Sequence, residues 1–130
     1  MNAPSEDIKD MLVAESSLAL EFETDLFIGK EEAKPRDCVT IFDTTGYPPS
    51  LGLINQGYEY PSVQIRVRNK GYREGWDLIH KIKDSLHGRS HQTWNGTLYT
   101  VIYCSSGPAL LDWDDNGNVR FIINFNLQRR

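Results

Sequence analysis

The strict alternation of apolar and polar residues in YEYPSVQIRVRN, residues 58–69, constrains the fold of this chain more than any other feature. Successive side chains of an extended strand point to opposite faces. One face would carry Val63, Ile65 and Val67, and the other Gln64, Arg66 and Arg68. The pattern predicts a strand with one face in a core and one face in water. Pro61 indicates a sheet edge or the entry into the strand.

A helix is predicted directly after this strand, over residues 71–86. Its apolar side chains recur at helical spacing and form one stripe: Tyr72, Trp76, Ile79, Ile82 and Leu86. Gly88 is suited to end the helix as a C-terminal cap. A helix in this place should lie across the sheet to which the strand belongs.

The remaining segments predict a second helix and more strands. Ser5 followed by two acids predicts a capped helix start and a helix over about 6–18. Strands are predicted at 25–30, 38–43, 97–104, 109–113 and 119–127, with Asn95-Gly96 as a hairpin turn and Gly107-Pro108 as a break. The fold class is therefore α+β, with helices on one mostly antiparallel sheet. A length of 130 residues fits one domain, residues 1–130.

The segment TTGYPPSLGLINQG, residues 44–57, is predicted to be a long loop, because three glycines and two prolines disfavour regular structure. It carries four apolar residues: Tyr47, Leu51, Leu53 and Ile54. These side chains either fold back onto the core or contact another chain. The second alternative makes them candidate contacts with a neighbouring chain.

Composition and charge disfavour several functional classes. The net charge is −4, but residues 1–32 hold nine acids against two lysines, which disfavours that end as a nucleic-acid surface. The apolar runs are too short to span a bilayer and no signal peptide is present, so we expect a soluble protein made in a reducing cytoplasm. Cys38 and Cys104 lie in β-like runs and are expected to be buried small hydrophobes.

The segment Asp112-Trp-Asp-Asp-Asn-Gly117 fits the opening of a calcium-binding EF-hand loop. The twelfth position of such a loop should be a bidentate Glu, and here it is Ile123. The flanking residues are strand-like, so we expect a β-hairpin turn with Asn116-Gly117 at positive φ. The three aspartates should then be exposed at the hairpin tip.

Other chemical motifs are weak. His80, His87 and His91 lack a further ligand at a suitable spacing and are expected to be solvated histidines near a helix end. No nucleophile motif or phosphate loop is present, so neither a catalytic residue nor a cofactor is predicted. Arg66, Arg68 and Lys70 could hold single-stranded nucleic acid, but the polar side of an amphipathic strand is the favoured interpretation of these residues.

Six segments in order resemble a family of small bacteriophage structural proteins, the minor capsid proteins that are similar to tail terminators of long-tailed phages. The segments are DLFIGK, CVTIFDTTGYPP, YEYPSVQIRVRN, a helix with Tyr and Trp that ends in LHG, TWNGTLYTVIYCSSGP and GNVRFIINFNLQR. The order of TGYPP, YP-VQ-RVR, LHG, NGT and SGP is the specific part. The similarity covers residues 8–130, most of the chain.

The resemblance implies a tail-terminator-like fold, a curved sheet with two main helices packed on it. It implies a virion protein of the tail or neck, made in the host bacterial cytoplasm, without catalytic residues. Such a protein forms a homo-oligomer, a hexameric ring that contacts the major tail tube protein, stops tube polymerisation and joins a head-completion or stopper protein. DNA would pass through the ring without specific binding, and acids of residues 1–32 would line or approach the channel.

Two alternatives to a tail terminator remain open from the sequence. One is another neck, stopper or tail-completion protein with a related fold. The other, of a different class, is a small nucleic-acid-binding domain or a metal-dependent enzyme domain. Assembly into rings and the absence of affinity for metal ions or single-stranded DNA would distinguish the first prediction from the second alternative.

Overall fold

The structure, a computed structural model, describes residues 1–49 and 57–130. The helices are α1 (Pro4–Ala14) and α2 (Tyr72–Leu86), and a 3-10 turn covers Ser16–Leu18. The strands are β1 (Leu26–Ile28), β2 (Cys38–Tyr47), β3 (Tyr60–Asn69), β4 (Arg89–Trp94), β5 (Thr97–Trp113) and β6 (Val119–Arg129). The predicted α+β class is confirmed.

The strands form one curled sheet in the order β1-β2-β3-β6-β5-β4. Every pairing is antiparallel except that of β1 with β2. The alternation that predicted β3 is seen in its pairing with β6, where Val63, Ile65 and Val67 lie opposite Phe125, Ile123 and Phe121. All six of these side chains are fully buried.

The core lies between this face of the sheet and the two helices. From α1 it takes Ile8, Met11 and Leu12, and from α2 it takes Ile79, Ile82 and Leu86. Each buried side chain of this size contributes roughly 1.5–3 kcal/mol through the hydrophobic effect. Gly75 allows α2 to approach β6 closely, because a Cβ there would lie 3.0 Å from the Phe121 ring.

A buried polar cluster joins α1 to β5, β6 and the turn between β4 and β5. The Tyr99 hydroxyl donates to one carboxylate oxygen of Asp7, and the Asn95 amide donates to the other at 2.7 Å. Arg129 Nη1 lies 3.3 Å from the Tyr99 hydroxyl oxygen and donates to the carbonyl oxygen of Asn2 at 2.9 Å. Asp7 and Tyr99 are fully buried, and burial together with the hydrogen bond to Asp7 raises the pKa of Tyr99. Asp7 therefore does not belong to a solvated acidic face.

Three predictions about strands were wrong in extent. Residues 89–94, expected to be loop, form β4. The segment 44–47 continues β2, and it does so across a register shift between Thr44 and Tyr47. Gly107-Pro108 does not break the chain into two strands, because β5 runs from Thr97 to Trp113 and takes up the irregularity in register shifts against β6.

The start of α1 also differs from the prediction. The helix begins at Pro4 with Ala3 before it, so Ser5 lies inside the first turn and is not the cap. Ser5 instead donates through its backbone N–H and its hydroxyl to the carboxylate of Asp43 on β2, at 2.9 and 2.7 Å. A carboxylate is favourable at this end of a helix because the free N–H groups make it electropositive. The cap is thus supplied from the sheet.

The predicted hairpin turn at Asn95-Gly96 and the predicted helix end at Gly88 are both confirmed by their backbone conformation. Asn95 and Gly96 both have positive φ, of 51° and 80°, as a two-residue hairpin turn requires. At the end of α2, Gly88 has a φ of 90° and follows the cap residue His87. In the described ranges, neither helix is long and apolar enough to cross a membrane.

Candidate assembly surfaces

The predicted contact loop lies at the end of β2, and the structure describes only its flanks. Tyr47 is the last residue of β2 and its side chain is 66% exposed. Leu51, Leu53 and Ile54 lie outside the described residues. Of the four candidate contact residues, Tyr47 is therefore the one whose placement is known, and it points an aromatic ring into solvent.

The lateral edge of the sheet that carries β1 is stepped, because β1 is shorter than β2 and covers only part of it. We call the end of the sheet where β2 begins and β5 ends the lower end, and the opposite end the upper end. β1 pairs only with residues 39–41 of β2, near the lower end. Residues 42–47, the β2 open edge, have no further strand beside them in the described part of the chain. Backbone N–H and C=O groups on such an edge are available to another strand.

The other lateral edge of the sheet, which carries β4, is also stepped, but here the outermost strand covers the upper part of its neighbour and not the lower part. β4 pairs with residues 97–102 of β5, near the upper end. His87 Nδ1 accepts a hydrogen bond from Cys104 N–H just beyond this pairing. Residues 105–113, the β5 open edge, then have β6 on one side and no described strand on the other.

Large apolar side chains project from the β5 open edge. Leu110, Leu111 and Trp113 are 46%, 38% and 52% exposed. The Trp113 ring stacks on Tyr72 with 6.3 Å between the ring centroids, which extends the apolar surface onto the start of α2. Native proteins usually protect such an edge with charges or a covering segment. Pro108 and the register shifts of β5 interrupt this edge, but its large apolar side chains remain exposed. Exposed apolar side chains grouped in this way are typical of a contact with another chain.

A second apolar surface lies beside β1. A groove of about 350 Å³ is lined by Phe22, Phe27 and Ile28 together with the charged residues Glu23, Lys30 and Glu32. Phe22 is 37% exposed, and the side chains of Phe27 and Ile28 are half-buried. Each lateral edge of the sheet therefore carries an open strand segment and exposed apolar side chains.

Part of the sheet face away from the helices carries uncharged polar side chains, and arginines lie elsewhere on the same face. Across its middle, Ser62 Oγ donates to Asn126 Oδ1 at 2.6 Å, and Asn124 Nδ2 donates to Ser106 Oγ at 2.8 Å. Gln64 Nε2 donates to Asn124 Oδ1 at 3.2 Å. These groups satisfy one another, so this face resembles neither a catalytic cleft nor a basic groove.

The arginines predicted to share this face have different environments. Arg66 donates to Gln64 Oε1 at 2.9 Å and lies over the Phe42 ring. Arg68 is only 7% exposed, because residues 31–36 fold over it. It donates to the carbonyl oxygens of Glu32, Pro35 and Arg36 at 2.6–3.0 Å. The prediction that Arg68 lies on a strand face in water was therefore wrong.

An ion-pair chain continues from Arg68 to the end of β5. Glu31 lies 3.2 Å from both Arg68 and Arg120, and Arg120 makes a two-point contact with Asp112 at 2.6 and 2.7 Å. The hydrogen bonds from Arg120 lower the pKa of Asp112. This chain fixes the segment that follows β1 against the lower ends of β3, β5 and β6. Glu31, like Asp7, is therefore unavailable to line a channel.

The segment Asp112–Gly117 forms the predicted hairpin corner. Asp114 Oδ1 accepts hydrogen bonds from the N–H groups of Asn116 and Asn118 at 2.9 and 2.8 Å, and these bonds lower the pKa of Asp114. Gly117 has a φ of 78°, whereas Asn116 does not have positive φ. Asp112 pairs with Arg120, and Asp114 closes the turn. Within residues 1–49 and 57–130, no three His, Cys, Asp or Glu side chains converge as metal ligands would.

The histidines do not form a cluster, and not all of them are free in solvent. His80 packs edge-on against Trp76 with 4.4 Å between ring centroids, His87 accepts from Cys104, and His91 is exposed on β4. Cys38 is buried as predicted, and burial raises the pKa of its thiol. Cys104 is half-buried.

Comparison with known proteins gives two findings. A family model described as "Bacteriophage tail terminator protein" matches residues 9–130. A chain from the virion of a native gene transfer agent particle is similar in structure, with a TM-score of 0.68 over 98% of this chain and 94% of that chain, at 11% sequence identity. That likeness shows a shared fold. No curated protein sequence matches the chain.

Proposed function

We propose that this chain, which belongs to the bacteriophage tail terminator family, forms a ring that caps the tail tube and stops its polymerisation. Family membership makes the chain a virion structural protein of a phage-like tail and not an enzyme. It also bears out the resemblance inferred from the sequence. The observation that carries the proposal is the family match, which spans the chain from within α1 to its last residue.

The surfaces of the subunit support an assembly role. A ring subunit needs two different contact surfaces, one for each neighbour, because its contacts are head-to-tail and close on themselves. The chain has an open strand edge with exposed apolar residues at each end of its sheet.

In this role the ring is a hexamer that contacts the major tail tube protein on one side and a head-completion or stopper protein on the other. DNA passes through the channel without specific binding. Acids of residues 1–32 that remain exposed, such as Glu6 and Glu21, are candidates for the channel wall. Negative side chains there would repel the DNA backbone and let it slide.

The direct test mixes the purified protein with its tail-tube protein under conditions in which the tube polymerises. Capped tubes that are shorter than in the control, with a ring at one end in negative-stain micrographs, are expected. Tubes of unchanged length and bare ends would contradict the proposal. Bovine serum albumin at the same concentration controls for crowding.

We also propose that Tyr47, Leu51, Leu53 and Ile54 contribute to a contact with a subunit or with the tube. The support is the exposed ring of Tyr47 and the apolar character of the loop that follows it. A Leu53→Asp, Ile54→Asp double variant should lose capping, since two buried carboxylates in a contact are unfavourable. A Tyr58→Asp variant beyond the loop is the matched control, and normal capping by the double variant would remove these residues from the contact.

A further inference from the structure

We propose that neighbouring subunits join by continuing the sheet, with β1 of one copy lying antiparallel to the β5 open edge of the next. This inference deepens the proposed ring and rests on it. The occupant of the β5 open edge, residues 105–113, is thus a second copy of this chain.

The two ends of the sheet have complementary steps. At one lateral edge of the sheet, β1 is the outermost strand in the lower half, and residues 42–47 of β2 are outermost in the upper half. At the other lateral edge, β4 is the outermost strand in the upper half, and residues 105–113 of β5 are outermost in the lower half. Placed side by side in the same orientation, two copies fill each other's set-back regions. β4, with its six residues, then lies beside residues 42–47 of the neighbour.

The strand directions allow this placement. β1 runs parallel to β2, and the antiparallel pairings through β3 and β6 make β5 run opposite to β2. A rotation that continues the sheet preserves these directions, so β1 meets the neighbour's β5 as an antiparallel pair. Antiparallel pairing gives straight hydrogen bonds. On β1 the backbone groups of Ile28 would make them, because the Leu26 carbonyl oxygen already accepts a hydrogen bond from Glu23 N–H at 2.9 Å.

The side chains at the two lower edges also match. The groove lined by Phe22, Phe27 and Ile28 would receive Leu110 and Leu111 of the neighbour. Both surfaces carry apolar side chains that are at least partly exposed in the isolated subunit, and burying these side chains against each other is favourable. A contact between two different surfaces of one chain is heterologous, and repetition of it around an axis gives a closed ring.

A second copy explains both edges better than the tube protein does. The β5 open edge needs a strand of opposite direction, a complementary step and an apolar groove. All three are present at the other lateral edge of the same sheet, where β1 lies. A tube protein would fill one edge and leave the other end of the sheet unpaired. Pairing between copies leaves neither of these edges open.

Engineered cysteines test the pairing. Phe22→Cys and Leu111→Cys are introduced together in a Cys104→Ser background, and both positions are partly exposed, 37% and 38%, so the core is not disturbed. A disulfide needs Cα atoms within about 4.4–6.8 Å of each other, so it forms only if the two edges meet. The control pair is Val13→Cys with Leu111→Cys, because Val13 is equally exposed, at 44%, but lies on α1.

The cysteine variants are oxidised at high protein concentration and again on tail tubes, and are separated on non-reducing gels. A reducible ladder that ends at the ring size, at least about tenfold stronger than with the control pair, is expected. Rings in light scattering and micrographs without this ladder would overturn the pairing and leave the proposed ring intact. A full ladder with tubes of unchanged length would support the pairing and contradict tail termination. A chain that stays monomeric even on tubes would overturn both.

Amide hydrogen exchange gives a measurement that does not depend on a variant. In residues 105–113, where Pro108 has no amide, and at Ile28, the amides without a hydrogen bond inside the subunit should exchange at least about tenfold more slowly in the oligomer than in the monomer. Slower exchange confined to other segments would overturn the pairing.

Discussion

At the residue scale, Tyr99 joins the two ends of the chain to the sheet through its hydroxyl. Tyr99→Phe leaves the buried Asp7 carboxylate without its closest donor, while the ring still fills its place in the core. We expect the free energy of unfolding to fall by about 1–3 kcal/mol, the cost of a buried polar group that loses its partner. Urea denaturation measures it. Tyr103→Phe is the control, because the Tyr103 ring is 40% exposed and water can replace its contacts.

The same residue gives a dependence on alkaline pH. The pKa of Tyr99 in the folded chain is raised above its ordinary value of 10.0, so above pH 10 the unfolded chain releases a proton that the folded chain retains. Stability from this group is therefore complete below pH 10 and falls as pH rises further. Wild type should lose stability more steeply than Tyr99→Phe between pH 10 and 11. Equal slopes would argue against a buried, hydrogen-bonded Tyr99.

Arg68 shows how a polar strand position can become part of the interior. Arg68→Lys replaces a planar group that reaches three carbonyl oxygens with a single ammonium. We expect a loss of about 2 kcal/mol in thermal or urea unfolding. Arg66→Lys, two residues away on the same face, should cost less than about 1 kcal/mol because Arg66 is only partly buried. Similar losses in the two variants would contradict the enclosure of Arg68 by residues 31–36.

At the element scale, patterns with a strong period predicted their structures, and weakly patterned segments did not. The alternation at 63–67 and the helical stripe at 72–86 each bury one face, so local sequence and tertiary packing agree. β4, with the sequence RSHQTW, lacks an apolar period because it lies at the sheet edge and is mostly exposed. The cap of α1 could not be predicted, since its donor Ser5 and acceptor Asp43 are 38 residues apart.

The extension of β2 over residues 44–47 depends on Gly46, which lies in the loop predicted from sequence at 44–57. A Cβ at this position would lie 2.0 Å from the carbonyl oxygen of Tyr60, so the glycine permits close approach of β2 and β3. Gly46→Ala should destabilise the fold by about 1–3 kcal/mol, measured by thermal unfolding. Gly71→Ala is a suitable control, because its new Cβ would meet only the flexible end of Glu74. Equal stability of the two variants would place residues 44–47 away from β3.

At the scale of the whole molecule, Trp113 should report assembly. Its side chain is 52% exposed in the subunit and lies at the end of the β5 open edge. Burial by a neighbour in the proposed ring should shift tryptophan emission to the blue and reduce quenching by iodide, because water and ions are then excluded. Fluorescence across a concentration series measures this change. The change should disappear in Trp113→Phe, and its persistence would place the contact elsewhere.

The sequence predicted the fold class and the family, but it could not have located the two stepped ends of the sheet. Those ends depend on which residues of β2 and β5 lack a neighbour, and that is set by the lengths of β1 and β4. The short β1 was predicted from its apolar run, whereas β4 was not. The contact loop at 44–57 was proposed from composition, and the apolar edge of β5 was not proposed, because Leu110 and Leu111 resemble core residues in sequence.

The carboxylate of Asp43 links the occupancy of a neighbouring position to the start of the chain. It belongs to the β2 open edge, and it holds the first turn of α1 through two hydrogen bonds from Ser5. In the proposed ring, a strand that pairs with this edge restrains the backbone of Asp43 and with it the anchorage of α1. In that ring, the order of the N-terminal segment of one subunit would depend on whether the neighbour on this side is present.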